Sequence, residues 1–165
     1  MHGVCARNEW RCSVKLDEER LGKYIDEIAA ETIDIEKVIG QKSKKKGGLT
    51  QDPHILKSLK YSTIVIAEAI AGTLQHILAK KYNVVIDGYM AVFRESRDNK
   101  VISTKLLTRL QPFLRFRNML VHQYWRVDNT VFETNLRDGL NDFRMFVKEI
   151  RKIIKDDCEE TTAND

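Results

Sequence analysis

Two prolines and eight glycines among 165 residues leave little material for linkers or low-complexity segments, so a chain of many loops is excluded. Cysteine is scarce as well. Cys5, Cys12 and Cys158 are odd in number and all lie near the termini. The gap between Cys5 and Cys12 fits neither a zinc knuckle nor a Cys-x-x-Cys motif. A disulfide framework is set aside, and the three read as free thiols in a reducing cytosol. No apolar run reads as long enough to span a membrane. The opening MHGVCARNEWRCS lacks the continuous apolar core of a signal peptide, and residues 1–13 read as a poorly ordered leader. A cytoplasmic protein without a membrane anchor is expected.

Hydrophobic residues make up 42% of the chain and charged ones 32%, the second figure being above the globular norm. The length suits one domain that buries a core without disulfides or metals. The net charge of +4 hides an asymmetry. The last ten residues, DDCEETTAND, hold five acids and no Lys or Arg. Without them 28 bases face 19 acids, a net +9 on the body. A basic body favours an anionic partner such as nucleic acid, although a solvated, salt-bridged surface has the same composition.

Hydrophobic spacing predicts helices. From about Leu16 to Ile39, Leu21, Ile25, Ile28, Ile35 and Ile39 recur at helical intervals with Thr32 in the missing slot, and Gly40 is read as the end. QKSKKKGGLT reads as an exposed basic loop. Asp52-Pro53 starts a long helix, Asp as N-cap and Pro at the first position, which runs to Lys80 or Lys81 and carries Glu68 at the edge of its apolar stripe. VVIDG reads as an extended connection in which Asp87 caps a short helix, and Ser103 caps the next. Pro112 should kink or restart that one. The last helix begins at Asp128 or Asn129 and places Phe132, Leu136, Leu140, Phe143, Val147, Ile150 and Ile154 on one side. The expected fold is all-α, an antiparallel bundle of four long helical segments and a short one, spanning residues 14–155 and followed by a frayed acidic tail at 156–165.

One stretch does not fit a simple core helix. RFRNMLVHQYW, residues 115–125, places Arg117, Asn118, His122, Tyr124 and Trp125 in an apolar setting. On an ideal helix Asn118 and His122 share a face, while Arg117 and His122 lie about 140° apart. They converge only if the Arg side chain reaches round the helix, or if a two-fold dimer lines one cleft with both copies. His moves protons near neutrality, Arg offers a fork of donors to phosphate, and Asn can orient an imidazole. These parts suit RNA cleavage without metal: the base takes the 2′-hydroxyl proton, the oxygen attacks the neighbouring phosphorus, and the cation steadies the charge. Carboxylate clusters of a two-metal site are not evident, so neither metal nor cofactor is expected. A boundary helix whose Arg and His satisfy buried polar groups would read the same way. Tyr124 and Trp125 taken singly read as packing residues.

Arg117-Asn118-Met119-Leu120-Val121-His122-Gln123-Tyr124 resembles the Arg-x-x-x-x-His-x-Tyr signature of HEPN-domain proteins, and in particular the HepT toxins of HepT–MntA toxin–antitoxin systems. The resemblance extends from about Leu16 to Ile154 and takes in Glu68. It implies a HEPN-like homodimer with the two motifs facing a shared cleft, acting as a metal-independent endoribonuclease. It implies catalytic roles for Arg117 and His122 and a supporting one for Asn118. Tyr124 matches the position that a partner MntA-like nucleotidyltransferase antitoxin modifies with AMP, which adds bulk and negative charge. The alternative is a non-catalytic helical module that binds such a nucleotidyltransferase, or nucleotide.

Overall fold

The computed structural model describes residues 15–42, 52–123 and 126–162. Five helices follow in order: α1 Glu18–Lys42, α2 Pro53–Lys81, α3 Tyr89–Asp98, α4 Thr104–His122 and α5 Asn129–Thr162. No strand occurs among the described residues, as the helical periodicity requires. α1 packs on α2 and α5, and α4 packs on α5 and α2, so the four long helices form a closed ring while α3 lies against α2 and α4. Side-chain ties give their directions. The start of α1 meets the ends of both α5 and α2, through Leu16 N–H to Asp157 and Asp17 N–H to His76. The end of α4 meets the start of α5, where Phe116 stacks on Phe132 with ring centroids 4.9 Å apart. Neighbours in the ring are antiparallel.

The apolar stripes meet in one core. Leu21, Ile28 and Ile35 of α1, Ile66, Ile70, Leu74 and Ile77 of α2, and Phe132, Phe143 and Phe146 of α5 are almost wholly buried. Burial of each such side chain contributes about 1.5–3 kcal/mol before the entropy of ordering is set against it. Thr32 sits in that core because its hydroxyl donates to the Ile28 carbonyl at 2.6 Å. Gly139 has a distinct task. A Cβ there would overlap the Phe113 ring, which stands edge-on to Phe143 at 4.8 Å. The glycine lets α4 and α5 approach around that ring.

The helix ends follow their caps. The Asp52 carboxylate accepts from the N–H groups of His54 and Ile55, both at 3.2 Å, with Pro53 in the first position. Ser103 caps α4 through the Leu106 N–H. Of the two candidates for α5, Asp128 is the cap, accepting from Thr130 and Val131.

Several expectations fail, each for a local reason. α1 runs past Gly40 to Lys42; Gly40 is exposed, and an exposed helical glycine costs only about 1 kcal/mol. Asp87 does not cap α3. Gly88 takes the N-cap place with φ +88°, a region that favours glycine. Pro112 neither ends nor restarts α4, which continues through it. The ring is exposed, and so is Thr108 one turn earlier, where water can reach the carbonyl that loses its N–H partner. The tail is not frayed from residue 156. α5 extends to Thr162, and Asp157 is buried, paired with Lys81 at 2.9 Å and accepting from Leu16 N–H at 3.1 Å. α2 is, by length and composition, apolar enough to cross a membrane, which the sequence reading overlooked; 61% of that stretch is buried in the bundle. The leader and most of the lysine loop lie outside the described residues.

Candidate active site

α4 is the helix that bears the signature, and its composition is one-sided. Between Thr104 and His122 it has Lys105, Arg109, Arg115 and Arg117 and no Asp or Glu. Each cation that finds a carboxylate must find it on another helix. Arg109 reaches the buried Asp142 of α5 at 2.5 Å. Arg117 reaches Glu68 of α2 with both Nε and Nη2.

Arg117 is the centre of a small cluster where α2, α3 and α4 meet. Its side chain is 18% exposed and that of Glu68 47%. Nη1 donates to the Asn118 side-chain oxygen at 3.1 Å. The guanidinium also lies over the Tyr89 ring of α3, 4.5 Å from the centroid, a cation–π contact. Tyr89 is fixed in turn by its hydroxyl, which donates to the Ala67 carbonyl at 3.3 Å, and by Phe93, edge-on at 5.3 Å. Burial, reinforced by the Glu68 carboxylate, pushes the Tyr89 phenol well above its ordinary range, while Arg117 pulls the other way. The phenol therefore stays neutral. Of the five guanidinium N–H groups, these contacts use Nε and one hydrogen of each terminal nitrogen. One N–H on each of Nη1 and Nη2 is left for a ligand oxygen.

His122 is the last residue of α4 and is exposed. It is not among the described partners of Arg117, which are Glu68, Asn118 and the Tyr89 ring. Asn118, expected in a supporting role, accepts from Arg117 through its side-chain oxygen. Met119 and Val121, on the same turn as His122, are exposed hydrophobics at 36% and 45%. Tyr124 and Trp125 lie outside the described residues. Among the described residues no group of three His, Cys, Asp or Glu is placed to hold a metal ion.

A family profile described as "Ribonuclease HepT-like" matches residues 21–150. The chain belongs to the HepT-like ribonuclease family. Its α4 signature and its helix order are those of a HEPN domain, and similar solved structures carry the same fold. A tri-AMPylated Shewanella oneidensis HEPN toxin in complex with MNT antitoxin is 21% identical, with a TM-score of 0.72 over 81% of this chain and 98% of that one. A toxin–antitoxin crystallised with AMP-PNP is 20% identical, with a TM-score of 0.71 over 80% and 98%. A search of curated protein sequences finds no match.

Within this HepT-like chain, sequence reasoning reached Arg117, Asn118, His122 and the boundary residue Glu68. It missed Tyr89. The signal for Tyr89 was faint, since its approach to Arg117 depends on where the connection at residues 82–88 delivers α3.

Proposed function

We propose that the protein is the toxin of a toxin–antitoxin pair, a metal-independent endoribonuclease that works as a homodimer in the cytoplasm. The observation that carries this reading is the division of labour on α4. Arg117 is held half-buried with two N–H groups to spare, while His122 stands exposed at the helix end, free to reach RNA and a second copy. His122 takes the 2′-hydroxyl proton. The alkoxide attacks the adjacent phosphorus, forming a 2′,3′-cyclic phosphate, and the 5′-oxygen departs with a proton from a general acid. Arg117 stabilises the charge on the phosphoryl oxygens, and Asn118 keeps the guanidinium in place. The exposed Met119 and Val121 beside His122 supply apolar area for the two-fold contact, which would bring Arg117 and His122 of different copies to one cleft.

A nucleotidyltransferase antitoxin that places AMP on Tyr124, two residues from His122, would silence such a cleft by bulk and negative charge. The test is RNA cleavage in the presence of a chelator, compared with His122→Ala. Because His122 is exposed, the variant should keep its thermal midpoint and lose about 10²–10⁴-fold in rate. Equal cleavage by the variant overturns the assignment. A folded dimer that leaves every RNA intact would favour a non-catalytic binding module.

A further inference from the structure

A cavity of about 490 Å³ opens beside the Arg117 cluster, bordered by α1, α2, α3 and the connection before α3. That volume falls in the rough 300–1,000 Å³ range of sites for small organic ligands. Tyr24 and Tyr89 supply aromatic surface, and Glu27, Glu68 and Gln75 supply polar groups. Glu68 and Tyr89 are the residues that hold the Arg117 guanidinium, so the cavity shares a wall with the cation.

Its shape depends on Gly72. A Cβ there would meet the Tyr24 ring at 2.8 Å, so an alanine would push the end of that ring away from α2. Arg20 secures the ring from outside, donating to the hydroxyl at 3.4 Å with its guanidinium 5.9 Å from the centroid. The charged polar groups of the lining accept hydrogen bonds and do not donate. Glu68 is already engaged by Arg117, whereas Glu27 takes part in none of the described ion pairs. A ligand that fits is flat, able to stack on Tyr, and rich in N–H donors along one edge. Among RNA bases only guanine presents two adjacent donors, N1–H and N2–H, to a carboxylate. Adenine and cytosine offer an amino group alone, and uracil a single N–H.

We propose that this cavity is a guanine-binding subsite for the RNA, with Glu27 reading the base edge and Tyr24 and Tyr89 its faces. The idea rests on the ribonuclease reading, and it places the guanine next to the phosphate that Arg117 engages. Binding of the four ribonucleoside 5′-monophosphates to the full chain, followed by saturation-transfer NMR, tests it without requiring cleavage. GMP should bind about tenfold tighter than the others, Glu27→Gln should erase that preference, and Tyr24→Leu should weaken all four. Glu27 is exposed, so its variant should melt as the parent does. In cleavage of a randomised RNA, the parent should cut at a fixed offset from G, and whatever cleavage Glu27→Gln retains should lack that bias. Equal binding of the four nucleotides, or a GMP preference that survives in Glu27→Gln, overturns the subsite. GMP selectivity in a protein that cuts no RNA would leave the subsite standing and refute the ribonuclease reading instead.

Discussion

α4 and α5 lie against each other, yet their sequences serve different ends. α5 has a regular apolar stripe and carries acids as well as bases along its length. Arg137 pairs with Glu133 one turn earlier at 2.7 Å, and Glu149 accepts from both N–H and hydroxyl of Ser103. α4 carries cations with no acid of its own, a proline in mid-helix, and a polar cluster at its last turns. One helix is built to be packed against. The other keeps part of its charge available, with Arg115 exposed and two Arg117 N–H groups unused. A helix whose composition ignores its own neutralisation is a sign of charge meant for another molecule, which the proposed function takes to be RNA.

The sharpest cut between the two helices is Arg117→Ala. Cleavage should fall about 10²–10³-fold, the usual cost of removing one transition-state donor, with little change in thermal midpoint because Glu68 is half-exposed and hydrates readily. A large loss of stability with activity preserved would reverse the roles assigned to the helices. Gly139→Ala is the mirror experiment on α5. The new methyl meets the Phe113 ring, so overpacking should cost about 1–3 kcal/mol, read from denaturant midpoints. Activity per folded molecule should hold; if it collapses while stability is kept, α5 is more than a support.

A finer probe is Glu68→Gln, which keeps the hydrogen bond but removes the charge that offsets Arg117. RNA should bind more tightly at low salt, and the slope of log affinity against log salt should steepen by roughly 0.7, one phosphate contact on a single strand. An unchanged slope would mean that Glu68 does not mask the cation.

The smallest effect concerns the end of the bundle at His76, whose Nε2 accepts the Asp17 N–H at 3.1 Å. Burial, and then the Arg20 and Lys80 charges, lower its pKa below 6.5, with Asp17 opposing. The native state therefore prefers neutral His76, and the unfolded chain binds the extra proton. The stability it contributes is complete above about pH 6.5 and is lost as pH falls through the lower native value. Thermal midpoints between about pH 7.5 and 5 should show that loss in the parent and a flatter profile in His76→Gln.

Legibility in the sequence divides along similar lines. The stripe of α5 and the Asp52-Pro53 start of α2 could be read because their causes are local: a period, or a cap beside a proline. Arg117 and His122 could be read because eight consecutive residues carry the signature. The hydrogen bond from Arg117 to Asn118 could not be read, since ideal-helix angles ignore how far a guanidinium bends back along its own helix. Asp157 looked like one more solvated acid. Its burial depends on Leu16, 141 residues away, and on Lys81, a long-range coincidence no window of sequence displays. Tyr89 and the Tyr24 cavity share that obscurity, because both arise only where three helices converge.

The absence of acid in α4 also bears on the unfolded protein. Once the bundle opens, Arg109 and Arg117 lose Asp142 and Glu68, and residues 104–122 become a stretch of bare positive charge. An RNA that binds the native protein, as proposed, would then bind the denatured ensemble as well. Binding to both states cancels part of the linkage that raises a melting temperature. On the proposed ribonuclease reading, the melting shift produced by RNA should therefore understate its affinity for the folded protein, and affinity is better measured directly at fixed salt.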